Sequence, residues 1–118
     1  MREKVAVVGS REYPDLEAVH EYVCGLPPDT VVVSGGARGV DSKAHASAKE
    51  SGLNVEIYYP RWDLHGRAAG IYRNMAIVQA ASRVVVFWDG SSRGAAHVIE
   101  YCKRIGKEFV VVLPRSEP

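Results

Sequence analysis

The sequence has only two cysteines, Cys24 and Cys102, and no cysteine–histidine cluster at metal-ligand spacing. That excludes a disulfide scaffold and a structural zinc site. Both cysteines sit in apolar helical patterns and read as small buried hydrophobes of a reducing compartment. No apolar run is long enough to span a bilayer. Met1-Arg2-Glu3-Lys4 leads straight into a strand-like segment without a signal-peptide pattern, so a cytoplasmic protein with no membrane partner is expected. An excess of one charge is missing too: 15 basic residues face 14 acidic ones, for a net charge of +1. A dedicated duplex-DNA binder carries a clearer basic excess, although a local patch suffices for nucleic acid. Internal repeats, linkers and low-complexity segments are also absent.

What is present suits one globular domain. The chain has 118 residues, 47% of them apolar and 25% charged, enough to bury a core without staples. Five short apolar runs read as strands: Val5 to Val8, Thr30 to Val33, Val55 to Ile57, Arg83 to Trp88 and Glu108 to Leu113. The first, second and fourth are wholly or almost wholly apolar, which suggests burial on both faces. The third alternates, as a strand near a sheet edge does.

Helical spacing fills the intervals. Asp15 is placed to cap a first helix carrying Leu16, Val19, Tyr22, Val23 and Leu26. A second runs from Val40 to about Glu50 and stops at Gly52. A third covers roughly Ala68 to Ala81, with Ile71, Tyr72, Met75 and Val78 on one stripe, after a long loop from Tyr59 to Arg67. A fourth follows Gly94 and stops at Gly106. Strict alternation predicts an α/β fold: a five-stranded parallel sheet with helices on both faces. The domain is expected over 1–114, with a loose tail over 115–118.

Ligands of open parallel sheets bind beyond the carboxyl ends of the strands, where the strand order reverses. With the order 3-2-1-4-5, the loops after strands one, two and four converge there. Each pairs glycine with serine and arginine: Gly9-Ser10-Arg11, Ser34-Gly35-Gly36-Ala37-Arg38-Gly39, and Asp89-Gly90-Ser91-Ser92-Arg93-Gly94. Glycines expose backbone N–H groups, a following helix start favours an anion, and arginine adds a charge-assisted contact. One such loop reads equally well as a tight turn. Three together point to a phosphate-bearing ligand.

Several other residues are candidates. Arg73 and Asn74 either line the cleft or occupy a solvated helix face. Trp62, in a polar loop, is placed to stack on a base, whereas Trp88 reads as core. Asp89 and Asp63 are candidate ribose acceptors. Asp41 and His45, spaced i, i+4, share a helix face and form either an acid–base pair or a surface pair. No nucleophile–base–orienter set is legible, and Ser10, Ser34, Ser91 and Ser92 read as hydrogen-bond donors.

Ser34-Gly35-Gly36-Ala37-Arg38-Gly39-Val40-Asp41, with Ala44-His45 beyond it, resembles the Rossmann-like superfamily called SLOG. That group unites the Smf/DprA DNA-processing proteins with the Lonely Guy phosphoribohydrolases. Gly9-Ser10-Arg11, Trp62, Gly66 to Gly70, Arg73-Asn74 and Phe87-Trp88-Asp89-Gly90 keep the same order of motifs. The chain is most similar to the small single-domain YspA-like branch of bacteria and phages. The resemblance implies a Rossmann-like fold of order 3-2-1-4-5 and a nucleotide-derived ligand, with the protein a sensor or processor of nucleotide derivatives. Lonely Guy enzymes carry a glycine–threonine pair followed by a catalytic glutamate. Aligned on Gly94, those slots hold Ala95 and Val98, and valine handles no proton. Glu100 lies two positions further on, and the family's arginine in the preceding helix corresponds to Arg73.

Three functions follow in order of expectation. The first is a nucleotide-binding domain whose loops hold phosphate, with no metal or other cofactor required. The second is a hydrolase acting on a nucleotide, with Asp41, His45 or Glu100 as acid–base groups. The third is a single-stranded DNA-binding module related to the Smf/DprA proteins, disfavoured by the charge balance and the few aromatics placed for stacking. The apolar run Val110 to Leu113 also allows a homodimer, unless helices cover its faces and the tail its rim.

Overall fold

Three valines and an alanine in the first strand must be covered from both sides, and the computed structural model, described for residues 3–115, shows how. β1 (Lys4–Gly9), β2 (Val31–Ser34), β3 (Asn54–Ile57), β4 (Arg83–Phe87) and β5 (Phe109–Val112) form one parallel sheet of order β3-β2-β1-β4-β5. The period of two sends Val5 and Val7 to one face and Ala6 and Val8 to the other. The first pair joins a core with Val19, Val23, Val40 and Ala44 of α1 (Leu16–Cys24) and α2 (Val40–Glu50). The second pair packs against Ile77 and Val78 of α4 (Ala69–Ala80) and Val98 and Cys102 of α5 (Arg93–Ile105). This is the three-layer Rossmann-like α/β fold expected.

Local chemistry sets the helix ends. Asp15 caps α1, its carboxylate accepting from Ala18 N–H at 3.3 Å. Ser92 caps α5 by accepting from Ala95 N–H, and Gly106 ends that helix in the left-handed conformation. β3 is an edge strand with partly exposed residues, as its alternation suggests.

Three expectations need correction. The segment read as a loop over Tyr59 to Arg67 contains a one-turn helix, α3 (Trp62–His65), leading into a 3-10 turn (Gly66–Ala68). The stripe assigned to the third helix divides: Val78 is buried and Met75 packs on the core, but Ile71 and Tyr72 are about half exposed. The helix begins at the carboxyl end of the sheet, so its first turn projects past the strands that cover the rest. Cys102 is buried, but Cys24 is exposed in the last turn of α1, receiving a hydrogen bond from Ser51 Oγ at 3.1 Å. Cys24 therefore does not belong to the core.

Arg115 holds Asp15 through two nitrogens at 2.6 and 2.9 Å. The remainder of the predicted tail, 116–118, and residues 1 and 2 at the amino terminus lie outside the described residues. No helix among the described residues is long and apolar enough to cross a membrane.

Candidate functional site

The strand order reverses between β1 and β4, and the loops leaving them turn to opposite faces. There the structure opens a cavity of about 450 Å³, within the range of small-molecule sites. The three glycine-containing loops meet around it. Gly9 and Arg11 come from the first, Ala37 and Arg38 from the second, and Asp89, Ser91, Ser92 and Gly94 from the third. Asp41 of α2 and Arg73 and Asn74 of α4 complete the polar wall, and Val8, Ala95 and Val98 form its apolar floor.

Close backbone approach makes this convergence possible. A Cβ on Gly9 would lie 2.1 Å from the Phe87 carbonyl oxygen. Gly39 has φ +79°, and a Cβ there would lie 2.4 Å from the Arg11 carbonyl oxygen. Ser10 ties the first and third loops together. It is buried, its N–H bonds Phe87 O at 3.0 Å, and its hydroxyl receives Asp89 N–H at 3.0 Å. Ser34 is likewise internal, donating to Val7 O at 2.7 Å. Both serines brace the loops and do not line the cavity.

Two carboxylates belonging to the chain sit where an anionic ligand was expected. Asp41 is buried and accepts N–H donors from Gly9 at 3.2 Å and Ala37 at 3.3 Å, with Gly35 N–H also directed to it. Burial raises its pKa to about 6, against the lowering effect of those N–H donors and of the Arg73 charge. Asp89 turns the loop ahead of α5, accepting from Ser91 N–H at 2.9 Å and Ser92 N–H at 2.8 Å. Those two bonds are the main reason its pKa lies below the ordinary carboxylate value. Part of the amide set that the sequence assigns to phosphate is therefore already engaged. An anion in this cavity relies on the guanidinium groups.

Those groups differ in setting. Arg73 is half-buried, donates to Gly35 O, and bonds Asn74 Oδ1 at 3.0 Å. Desolvation lowers its pKa, the Asp41 charge opposes that, and Arg11 adds to the lowering; a guanidinium nevertheless keeps its charge. Arg11 is exposed at the cavity wall. Arg38 is exposed and paired with Glu12, itself on the wall. The sequence reading missed Glu12, because nothing in its spacing marks it as Arg38's partner.

Other candidates fall outside the cavity. Trp62 is exposed on α3, and Asp63 is paired with Arg61 at 2.9 Å. Arg93 is exposed at the start of α5 but is not part of the wall. Gly35, Gly36 and Gly39 shape the second loop behind it. Of the acid–base candidates, Glu100 is exposed and pairs with Lys103 at 3.7 Å. No hydrogen bond joins His45 to Asp41 among the described residues. None of their His, Cys, Asp and Glu side chains group into a metal-holding set.

Known proteins share this architecture. The family model for DNA recombination-mediator protein A matches residues 1–61, just over half of the chain. The Gene 61 protein of Mycobacterium phage D29 is 34% identical over 113 residues, covering 87% of this chain and 90% of that protein. The DNA processing protein DprA of Streptococcus pneumoniae is 35% identical over 68 residues, 49% of this chain but 24% of that one. Its solved structure superimposes with a TM-score of 0.81 at 24% identity, over 97% of this chain and 51% of that chain. A structure of DNA processing protein A from Helicobacter pylori, solved to describe its single-stranded DNA binding mode, gives a TM-score of 0.65 at 20% identity, over 97% and 66%. The chain thus spans about half to two thirds of these solved proteins, and at such identities they show the fold alone. The match to the family model over more than half of the chain shows that the chain belongs to the DNA recombination-mediator protein A family.

Proposed function

We propose that this chain binds single-stranded DNA, seating one nucleotide unit of the strand in the cleft at the carboxyl ends of β1, β2 and β4. One observation carries this reading: Arg11, Arg38 and Arg73 lie on the wall of one open cavity. Family membership supports it, as does the single-stranded DNA binding for which the Helicobacter pylori relative was described. Arg11 and Arg38 contact phosphate, and Arg73 braces the second loop while adding positive charge. Ser91, Ser92 and Asn74 supply hydrogen bonds to sugar or base, and Val8, Ala95 and Val98 give an apolar floor. No metal or cofactor takes part, and the protein works in the cytoplasm, where its strand is found. This reverses the order expected from charge: a chain of net charge +1 binds through a local cluster and not through its overall field.

Fluorescence anisotropy with a labelled oligothymidylate tests the proposal. The chain is expected to bind it saturably, and Arg38→Ala to lower affinity about tenfold, the scale of one charge-assisted contact. Unchanged binding in both Arg38→Ala and Arg11→Ala would remove the cleft from the reading.

A second reading is a free nucleotide or nucleotide derivative as the ligand, as in the YspA-like sensors or processors. The cavity volume favours it, because 450 Å³ accommodates one ligand of that size. Thermal-shift measurements with nucleoside monophosphates against oligothymidylate separate the two. Hydrolysis of the Lonely Guy type has less support. Val98 occupies the glutamate slot on the cavity floor, and Glu100 is exposed beside Lys103.

A further inference from the structure

Beside the main cleft lies a second, smaller cavity of about 170 Å³. Its walls come from the end of β3, the short helix α3 and the first turns of α4. Four rings line it, those of Tyr58, Tyr59, His65 and Tyr72, together with Arg61 and Arg73. The His65 and Tyr72 rings lie against each other, with centroids 4.4 Å apart and planes tilted by 30°. Tyr59 is 64% exposed and Tyr72 51%. Large rings left this open on a small chain need a reason, since solvent exposure of aromatic surface is unfavourable.

Two contacts join this cavity to the cleft. Arg73 lines both. Tyr59 packs against Gly36 of the second loop so closely that a Cβ there would lie 2.5 Å from its ring. Composition does not choose the occupant, because tyrosine and arginine are enriched at protein interfaces as well; the continuity with the cleft through Arg73 and the second loop does. Rings interleaved with guanidinium groups, continuous with a cleft suited to phosphate, match the faces and backbone of a single strand.

We infer that the aromatic cavity is a stacking site for the base of the nucleotide next to the one in the main cleft, with Arg73 at the phosphate between them. This rests on the DNA-binding reading and adds to it a second unit of the strand and a direction for its path, from β1 and β4 across the second loop toward β3. It follows that two linked nucleotides bind far better than one. Tyr72 and Tyr59 act here as base-contacting residues and Arg73 as the link.

The test uses the full chain with three probes: a short oligothymidylate, the same strand with abasic sites, and thymidine monophosphate. Tyr72→Ala and Tyr59→Ala are each expected to weaken oligothymidylate binding roughly 5- to 100-fold, the range measured for stacked bases. The abasic strand is expected to bind the unmodified chain about as weakly as oligothymidylate binds Tyr72→Ala, and Tyr72→Phe to bind as the unmodified chain does. Both tyrosines are exposed, and thermal melting checks that the alanine variants stay folded. A strand carrying 2-aminopurine is expected to lose emission on binding and to keep it with Tyr72→Ala. If oligothymidylate binds, Arg38→Ala weakens it, and the tyrosine variants bind as the unmodified chain does, the stacking site is overturned while the DNA-binding reading stands. If those variants instead shift the chain from dimer to monomer without changing DNA affinity, a second copy occupies the cavity and the inference fails. If the unmodified chain binds none of the probes, both readings fall.

Discussion

Asp41 in the first turn of α2 and Asp89 in the loop ahead of α5 both accept loop backbone N–H groups, yet their acidities move in opposite directions. Asp89 is open to water and its N–H donors lower its pKa; Asp41 is buried and desolvation raises its pKa to about 6. A carboxyl whose folded pKa lies above its unfolded value, about 3.8 here, stabilises the fold fully below the unfolded value. That contribution is lost as pH rises through the folded value. From Asp41 the loss amounts to about 2 kcal/mol between pH 4 and pH 7. Asp41→Asn removes this titration, so urea midpoints of the variant are expected to depend less on pH across that window. Parallel profiles would show that Asp41 ionises without penalty. Protonating Asp41 also removes a negative charge from the cleft, so DNA affinity is expected to rise on going from pH 7 to pH 5.5, and to rise less in the variant.

Glu12 holds Arg38 before any ligand arrives. Phosphate must displace that carboxylate, so Glu12→Gln is expected to raise affinity for oligothymidylate about threefold, opposite in direction to Arg38→Ala. Equal loss in both variants would mean that the ion pair itself shapes the site. Anisotropy titrations at fixed salt read both effects.

Among the elements, the second loop and α2 depend most on one residue. Gly39 combines a left-handed φ with the Arg11 backbone against its Cα. Gly39→Ala is therefore expected to cost at least about 2 kcal/mol and to separate the first loop from the second. Denaturant unfolding measures the loss, and weaker DNA binding by the folded fraction would show that the loops had moved apart. Ser92→Ala removes the cap of α5, for about 1 kcal/mol of stability, together with the hydroxyl that Ser92 offers on the cavity wall. At this scale much was legible beforehand. The bounds of α2 and the capping residue Asp15 follow from residue type, because capping is local chemistry; Ser92, read only as a donor, proves to cap α5, which starts one residue earlier than Gly94. The turn of helix at Trp62–His65 was not legible, since four residues carry too little periodicity to stand out from a loop.

At the scale of the molecule, the balance of charge decides how binding responds to salt. Three guanidiniums face the main cavity alongside the carboxylates of Glu12, Asp41 and Asp89. About three phosphate contacts on a single strand predict a slope of about −2 for log affinity against log salt. A slope near zero would indicate binding without phosphate contacts. β5 forms the other edge of the sheet, with Val110 and Leu113 each more than half exposed. Light scattering is expected to show pairing through that edge at high concentration and its loss in Val110→Lys. A monomer at every concentration would count against it.

The sequence by itself determined the layered sheet. Continuous β-branched runs need cover on both faces, alternating strands and helices supply it, and handed connections leave few other arrangements. It also marked the three loops, because glycine, serine and arginine after buried strands form a local signal. Tertiary structure alone decided which amides remain for a ligand. Asp41 reaches Gly9 from 32 residues away and Ser10 reaches Asp89 from 79 away, and no local pattern records such long-range pairings. It also decided that Tyr59 of the loop after β3 and Tyr72 of α4 stand together beside the cleft; the packing of α4 past the end of the sheet exposes Tyr72, a ring that helical periodicity assigns to the core.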